Sequence, residues 1–206
     1  MNKINISFET ENLTVRSLRE EDKERYISLR REASNIAEAY KIFEGRLEEE
    51  EWKDIISSNE DLFLMAFSKE DGRMAACASF QFIESDDVEL GIDVAKAFRN
   101  KGVATELITK MVRIAREIFP GKKIILKTER NNIACRRAAE KGGGSICGYE
   151  PHPYTKVMDG ILAYANEKWP GNEKFKQLNV NTLKCSETAR TQCAFTVSDY
   201  KQGRRQ

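Results

Sequence analysis

The sequence has no apolar run near the roughly 20 residues that a membrane-spanning helix needs, and it has almost no excess of either charge. Its 34 Lys and Arg residues face 33 Asp and Glu residues, which leaves a formal net charge of +1. Duplex nucleic acid and anionic lipid attract proteins through a broad positive field that so balanced a chain lacks. The opening residues, MNKINISFET, show neither the basic leader nor the apolar segment of a secretion signal. We therefore expect no nucleic-acid partner, no membrane partner and a cytoplasmic location.

Metal-ligating residues are also scarce. The single histidine, His152, lies between two prolines, which excludes a His-rich metal site and an HExxH helix. The five cysteines include no C-x-x-C pair, and this argues against a disulfide framework and a thiolate zinc cage. No G-x-S-x-G motif accompanies His152, so a serine hydrolase is disfavoured. We expect no metal site, and catalysis has to use carboxylates, tyrosines, lysines, backbone amides or a bound coenzyme.

The chain suits one globular domain over residues 1–206, because 40% of its residues are hydrophobic and 33% are charged. Two β-rich runs, residues 63–68 and 74–84, are separated by an Asp-Gly pair that indicates a hairpin. We expect residues 201–206 to be a frayed tail. Further strands are predicted at residues 13–18, 87–94, 145–149 and 193–199.

Helices are predicted where apolar residues recur at helical spacing. The clearest covers residues 103–119 and ends at Pro120. The continuously apolar run IIL that follows is typical of a parallel strand buried on both faces, reached by a β-α-β crossover. An amphipathic helix also falls within residues 155–192, a helical and polar insertion before the last strand. Other helices are predicted at residues 20–32, 47–56 and 133–141.

The most informative segment, residues 88–105, reads as a strand, a basic turn and a helix start. Gly102 and Ala104 let a ligand approach the backbone closely, and the first N–H groups of a helix have no internal partner. Arg99 and Lys101 add positive charge beside them. These residues alone fit either a metal-free phosphate site or a solvated basic turn. The P-loop and the dinucleotide fingerprint are both absent.

The run VAKAFRNKGVA, residues 94–104, resembles a known coenzyme signature. Its part RNKGVA matches (Q/R)-x-x-G-x-(G/A), the acetyl-coenzyme A pattern of the GNAT superfamily, the Gcn5-related N-acetyltransferases. Residues 13–18 resemble the first strand of that family, and Asn132 followed by Lys141 and Gly143 resembles its second helical motif. The resemblance covers residues 11 to about 150, and the strand sequence ELG is closest to the ribosomal-protein alanine acetyltransferase branch.

The resemblance implies an α/β (α+β) fold with acetyl-CoA as the co-substrate. The GNAT-like sheet would be mixed and mostly antiparallel, with six or seven strands, helices on both faces and a splay between the strands that end near Val94 and Thr128. Residues 92–94 would hold the pantetheine arm, and the amides of residues 99–104 would hold the pyrophosphate. The residues assigned to the coenzyme are Ile92, Asp93, Val94, Arg99, Asn100, Lys101, Gly102, Val103, Ala104, Thr105 and Asn132.

Glu89 is the candidate general base. In an alternating strand, Glu89, Gly91 and Asp93 share the face opposite the apolar residues. In a sheet covered on both sides, such a face indicates a cleft more readily than a packed layer, although an exposed carboxylate on an open edge fits the pattern too. A partly desolvated carboxylate can take the proton that an amine must lose before it attacks.

The sequence departs from the family at the position of the general acid. Many members have a tyrosine seven residues after the motif asparagine to protonate the leaving thiolate, and this chain has Ala139 there. Tyr149 and Tyr154 are the nearest candidates for a relocated acid, and we assign the role to Tyr149. Solvent is the alternative, since a thiolate with a pKa near about 8.5 needs little help to leave.

We therefore expect an N-acetyltransferase that moves acetyl from acetyl-CoA to a primary amine by direct attack in a ternary complex. The acceptor is a protein N-terminus or a small molecule such as a polyamine or an antibiotic. Residues 38–61 hold nine acids against three bases, which favours a cationic acceptor but also fits a solvated helix face. The alternative function is a coenzyme A sensor or interaction module without catalysis. The sequence does not predict an oligomeric state.

Overall fold

One mixed sheet organises the chain. The computed structural model describes residues 4–32, 46–129, 132–150 and 192–196. The strands are β1 (Ser7–Glu9), β2 (Leu13–Ser17), β3 (Leu62–Ser68), β4 (Met74–Gln81), β5 (Asp87–Val94), β6 (Lys123–Glu129), β7 (Ser145–Glu150) and β8 (Gln192–Thr196). They lie in the order β1-β2-β3-β4-β5-β6-β8-β7. The pair β5–β6 is parallel, and all the other neighbours are antiparallel.

Four helices accompany these strands in the described residues. They are α1 (Lys23–Arg31), α2 (Arg46–Ser57), α3 (Val103–Ile118) and α4 (Ile133–Lys141), and two 3-10 turns lie at Glu20–Asp22 and Lys96–Phe98. Side chains of α3 and α4 pack on one face of the sheet. Side chains of α1 and α2 pack on the other face. Among the described residues, no helix is long and apolar enough to cross a membrane.

The predicted fold class is confirmed: the sheet is mixed and mostly antiparallel, with helices on both faces. It has eight strands instead of six or seven, because a strand of three residues, β1, pairs with β2. Three residues are too few to show a period-two pattern, so this strand could not be predicted from the sequence. The tail at 201–206 and the insertion at 155–192, apart from its last residue, lie outside the described residues.

The packing of α3 decides which face of β5 is apolar. Leu107 and Met111 of this helix are fully buried in one cluster with Val88 and Leu90 of β5. Phe119, just beyond the helix, meets Phe80 of β4 edge to face, with ring centroids 5.7 Å apart. Burial of this face anchors β5, and it leaves the alternate residues of β5 on the opposite face.

Ion pairs join α1 to α2. Lys23 lies 2.5 Å from Glu49, Arg31 lies 2.7 Å from Glu48, and Arg30 lies 2.9 Å from Glu51. Beneath these pairs, the apolar sides of the two helices meet β3 and β4 in a second cluster. Its buried members are Tyr26, Ile27, Leu29, Trp52, Ile55, Met65, Cys77 and Ala95.

A buried carboxylate fixes the start of α1. The side chain of Asp22 is fully buried and receives two hydrogen bonds from the guanidinium of Arg16, at 2.6 and 2.8 Å, and one from the backbone N–H of Arg19, at 2.9 Å. Burial alone would raise the pKa of the Asp22 carboxyl. The hydrogen bonds from Arg16 and Arg19 and the charge of Arg16 outweigh burial and hold that pKa below its usual value of 3.8.

Replacing this carboxylate should destabilise the fold. Asp22→Asn removes the charge that pairs with Arg16, and we expect the free energy of unfolding at neutral pH to fall by about 2 to 3 kcal/mol. A carboxylate with a lowered folded-state pKa stabilises above its unfolded pKa and loses this effect as pH falls through the folded value. Urea unfolding should therefore show a loss of stability below pH 3.8 that is smaller in Asp22→Asn. Equal stability of the two proteins at neutral pH would contradict this account.

Candidate active site

The sheet opens between β5 and β6. The two strands pair at only three positions, and the last pair is Glu89 with Ile125. Beyond it, β5 continues to Val94 against β4, and β6 continues to Glu129 against β8. We call the space between the diverging strands the splay. The predicted opening near Val94 and Thr128 is therefore present.

The register of β5 shows which backbone groups face the splay. Ala95 donates its N–H to the carbonyl of Ala75 at 2.9 Å, just beyond the last pair of the β4–β5 ladder. Hydrogen-bonding direction alternates along an antiparallel strand, so Asp93 also points its N–H and C=O toward β4. Ile92 and Val94 then point theirs into the splay. An extended ligand placed there finds the edge of a strand.

The turn after β5 leads into a helix N-terminus that no side chain caps within the described part of the chain. Gly102 is the N-cap of α3 with a φ of +84°, a conformation that glycine adopts without strain, and no side-chain hydrogen bond caps the helix. The first helical hydrogen bond runs from the N–H of Glu106 to the carbonyl of Gly102 at 3.0 Å. Val103, Ala104 and Thr105 therefore have N–H groups without helical partners. A side chain at Gly102 would meet nothing within 4 Å, so these amides face open space suited to an anion.

Glu106 orients this helix end. Its carboxylate accepts hydrogen bonds from the backbone N–H of Asn12, at 2.8 Å, and from the Asn12 amide, at 3.0 Å. Burial alone would raise the pKa of Glu106, but the bonds from Thr10 and Asn12 lower it. The acid in the first turn of α3 thus binds the β1–β2 turn and not the free amides of its own helix.

The basic residues of the turn differ in where their charges lie. Arg99 turns its Nε back to the carbonyl of Val94, at 3.0 Å, and its N–H points to the carbonyl of Lys96, at 3.4 Å. Lys101 lies over the ring of Phe98, with Nζ 5.6 Å from the centroid. The charge beside the helix start therefore comes from Lys101 more than from Arg99. Asn100 has a φ of +61°, which turns the chain toward Gly102.

Glu89 lies at the point where the splay begins. Its carboxylate is 3.3 Å from the ammonium group of Lys127, and the side chains are 18% and 23% exposed, respectively. The predicted alternation holds, because Val88 and Leu90 are buried under α3 while Glu89 and Asp93 occupy the other face. Glu89 and Lys127 thus form an ion pair on the cleft face of the sheet.

Gly91 lies between Glu89 and Asp93 on the cleft face of β5, and its lack of a side chain lets two polar side chains of β4 lie over it. A Cβ at this position would lie 2.4 Å from Oγ of Ser79 and 3.2 Å from Nε2 of Gln81. These two side chains, joined by a hydrogen bond of 3.0 Å, lie across the glycine. The floor beside Glu89 is therefore polar.

The end of α1 reaches this cleft. Arg30 donates to Asp93 at 2.9 Å and to Glu51 of α2 at 2.9 Å. The hydroxyl of Tyr26 donates to Glu51 at 2.8 Å, and burial raises the pKa of Tyr26, so this hydroxyl remains protonated. Glu32 accepts a hydrogen bond from the backbone N–H of Lys96. The helix pair is thereby attached to the end of β5.

Asn132 and Ala139 mark the ends of the fourth helix. Asn132 caps α4, since its Oδ1 accepts the N–H of Cys135 at 3.1 Å, and its role at the coenzyme stays a prediction. Ala139 is fully buried in the core, so the residue at the family's tyrosine position is a packing residue. Burial raises the pKa of the Cys135 thiol, which argues against a thiolate nucleophile there.

Tyr149 lies in β7, where its backbone pairs with Cys193 of β8. Its side chain, like Tyr154 and His152, is outside the described residues, so its assignment as the acid stays a prediction.

Three residues that the sequence analysis did not single out belong to the cleft: Arg30, Glu51 and Lys127. Lys127 could have been found from the alternation of β6, but only with the β5–β6 register in hand.

Comparison with known proteins identifies the family. A model of the acetyltransferase (GNAT) domain matches residues 12–145. The chain belongs to the GNAT family. The predicted resemblance is thus confirmed, and the GNAT domain makes the chain an acetyl-CoA-dependent N-acetyltransferase by class. Its coenzyme is the one that this fold binds.

Solved GNAT structures share the fold. The spermidine N-acetyltransferase of Vibrio cholerae, solved with CoA and spermine, is 19% identical, with a TM-score of 0.55 over 68% of this chain and 85% of that chain. The ribosomal-protein-S5-alanine acetyltransferase of Vibrio fischeri is 14% identical, with a TM-score of 0.55 over 71% of this chain and 86% of that chain. No curated protein sequence matches.

Gly102→Glu should weaken acetyl-CoA binding. The new carboxylate stands beside the free amides of α3, where it repels a pyrophosphate, and we expect an affinity loss of about 10-fold or more. The matched control is Gly121→Glu. Gly121 has a φ of +82° and equally open surroundings, but it lies in the turn between α3 and β6. Both variants carry the same backbone strain, so calorimetry that finds equal affinity for both places the phosphate site elsewhere.

Proposed function

We propose that this GNAT enzyme acetylates a primary amine by direct attack in a ternary complex. The observation that supports this most strongly is the continuity of the site. A strand edge with free N–H groups at Ile92 and Val94 leads at one end to the uncapped start of α3, and a carboxylate, Glu89, lies where the strands part. The strand edge can bind an extended arm, the start of α3 can bind a diphosphate, and Glu89 can accept a proton.

The described residues fit acetyl-CoA. The open space at Gly102, bordered by three N–H groups, suits the pyrophosphate, and the splay suits the pantetheine arm in the manner of an added strand. Ile92, Asp93 and Val94 would contribute backbone along the arm, and residues 100–105 would contribute the turn. Acetyl-CoA supplies an acetyl group activated as a thioester.

Glu89 would remove the proton of the acceptor ammonium. Its side chain is 18% exposed, lies 3.3 Å from Lys127 and faces the polar floor at Gly91. The N–H of Val94, which points into the splay, would donate to the acyl oxygen as negative charge develops there. The Glu89 carboxylate and the Val94 N–H both belong to β5. Their relative position therefore depends on this one strand, whose apolar face packs against α3.

The leaving thiolate would take its proton from solvent. Ala139 provides no acid, and a thiolate is a better leaving group than an alkoxide or an amide. Tyr149 is the remaining candidate for an acid, and its strand lies beyond β8 from the splay, two strands from β6.

The acceptor is a primary amine, and three of the acids of α2 have a role in the packing of the fold. Glu48, Glu49 and Glu51 each form an ion pair with a basic residue of α1, so they stabilise the contact between the two helices.

The spermidine acetyltransferase and the ribosomal-protein acetyltransferase with the same fold suggest two classes of acceptor to test, polyamines and protein N-termini. A panel of a polyamine, an aminoglycoside and peptides with free N-termini should yield free CoA with one class. Acetyl-CoA binding without turnover on any amine would favour a sensor.

Glu89→Gln should lower turnover by about 100-fold near neutral pH and leave acetyl-CoA affinity unchanged. The amide has the size of the acid but cannot accept the proton, and higher pH should restore part of the rate because more acceptor is already neutral. Asp87→Asn is the matched control, since Asp87 lies on the same face of β5 where β6 is still paired. If both variants keep full turnover across the pH range, Glu89 has a structural role.

Tyr149→Phe tests the source of the last proton. With solvent as the acid, turnover should fall by less than about 10-fold, whereas loss of a dedicated acid costs about 100-fold. The measurement is steady-state CoA release at saturating acetyl-CoA, with Tyr26→Phe compared for its effect on stability alone. A 100-fold loss at unchanged coenzyme affinity would make Tyr149 the relocated acid.

A further inference from the structure

Lys127 places a primary amine beside the proposed base. Its Nζ is 3.3 Å from Oε2 of Glu89, and neither side chain is more than a quarter exposed. Lys127 lies on the face of β6 opposite the buried Ile124 and Leu126, which pack under α3. The ammonium and the carboxylate thus share the cleft face of the sheet.

The register puts this amine inside the splay. Ile125 is the last residue of β6 that pairs with β5, and Lys127 follows two residues later. Continued at the same register, Lys127 stands across from Gly91, the residue that lies beneath Ser79 and Gln81 and directly before Ile92. The amine therefore borders the backbone that we assign to the end of the pantetheine arm.

We propose that Lys127 is an internal acceptor, acetylated by the enzyme's own acetyl-CoA when no external amine occupies the cleft. The proposal rests on the proposed function, because it uses the same base and the same coenzyme. Glu89 takes a proton from the Lys127 ammonium, and the freed electron pair of Nζ attacks the acetyl carbonyl carbon. A C–N bond forms, the nitrogen releases its second proton to solvent, and the C–S bond breaks. The sulfur leaves with the bonding electrons and gains a proton from solvent as CoA, so the net reaction leaves one proton on Glu89.

Acetylation of Lys127 would change the cleft. The side chain loses its positive charge and can no longer form an ion pair with Glu89. An incoming ammonium group then no longer competes with the charge of Lys127 for this carboxylate. Self-acetylation is thus a priming step for the base, and it occurs once per chain.

The test compares two lysines on one strand. Lys123 lies on the same face of β6, is exposed, and pairs with Asp87 before the splay begins. The full chain is incubated with acetyl-CoA that carries a deuterated acetyl group, without added amine, and its peptides are analysed by mass spectrometry. We expect labelling of Lys127 at least about 100-fold faster than labelling of Lys123, since only Lys127 is held beside the base and the coenzyme. Equal rates overturn the proposal, and this comparison needs no variant.

Variants and dilution separate enzymatic from chemical labelling. Glu89→Gln should reduce the rate at Lys127 to that at Lys123, and Lys127→Arg should carry no label at this position while it still binds acetyl-CoA. The rate should be independent of protein concentration, and a rate that rises with concentration overturns the intramolecular step.

An amine panel run in parallel separates this proposal from the proposed function. Acetylated amines with unlabelled Lys127 overturn self-acetylation and leave the transferase function intact. If neither an acetylated amine nor acetylated Lys127 is found, both self-acetylation and the proposed function are overturned. Unlabelled acetyl already on Lys127 in the purified chain, and absent from Glu89→Gln, would support the proposal.

Discussion

The structure depends on the limited pairing of β5 with β6. The two strands lose each other after Glu89 and Ile125, and from these residues onward each pairs with its outer neighbour: β5 with β4 up to Val94, and β6 with β8 up to Glu129. The gap is therefore held open by hydrogen bonds on both sides and does not need a bound ligand to form. Inside a sheet, a gap of this kind leaves strand-edge N–H and C=O groups that an extended molecule can satisfy. The proposed coenzyme site, base and internal acceptor all border it.

The α1 helix connects the remaining parts of the cleft. Its start is fixed by the buried pair of Arg16 and Asp22, and its end reaches β5 through Arg30 and the following turn through Glu32. A shift of α1 would thus alter the position of Asp93 and the backbone of Lys96 together. Through Arg30 and Glu32, the end of one helix thus connects the cleft face of β5 to the turn that we propose for the coenzyme.

Local signals in the sequence predicted most of the fold. The Asp-Gly pair specified the β3–β4 hairpin, the apolar stripe specified α3, and the run IIL specified the parallel strand that follows. Gly102 also predicted the helix start that follows it, because a glycine there can adopt the positive φ that precedes the free N–H groups of α3. Three residues of β1 contain too little pattern to be recognised. The family model matches residues 12–145, the part of the chain with these signals.

Contacts between distant residues were not predictable in the same way. Arg30 and Asp93 are 63 positions apart, and their pairing depends on where α1 crosses the sheet. Lys127 meets Glu89 only because of the register between two parallel strands. The alternation of β5 predicted which face Glu89 occupies, but it contains no information on which cation stands opposite. Burial of Ala139 likewise follows from the packing of α4, and the sequence revealed only that the tyrosine was missing.

The proposed anion site at α3 is built from main chain, and this has a consequence for divergence. Val103 and Ala104 pack in or against the core and Gly102 has a φ of +84°, so packing and backbone conformation constrain these positions more than contact of their side chains with a ligand. A site of this kind depends on one glycine and on the direction of a helix more than on the identity of exposed side chains. Proteins that share 14 or 19% of their residues with this chain have the same fold. Sequence identity is accordingly a weak measure of a shared fold in which backbone geometry is the main constraint.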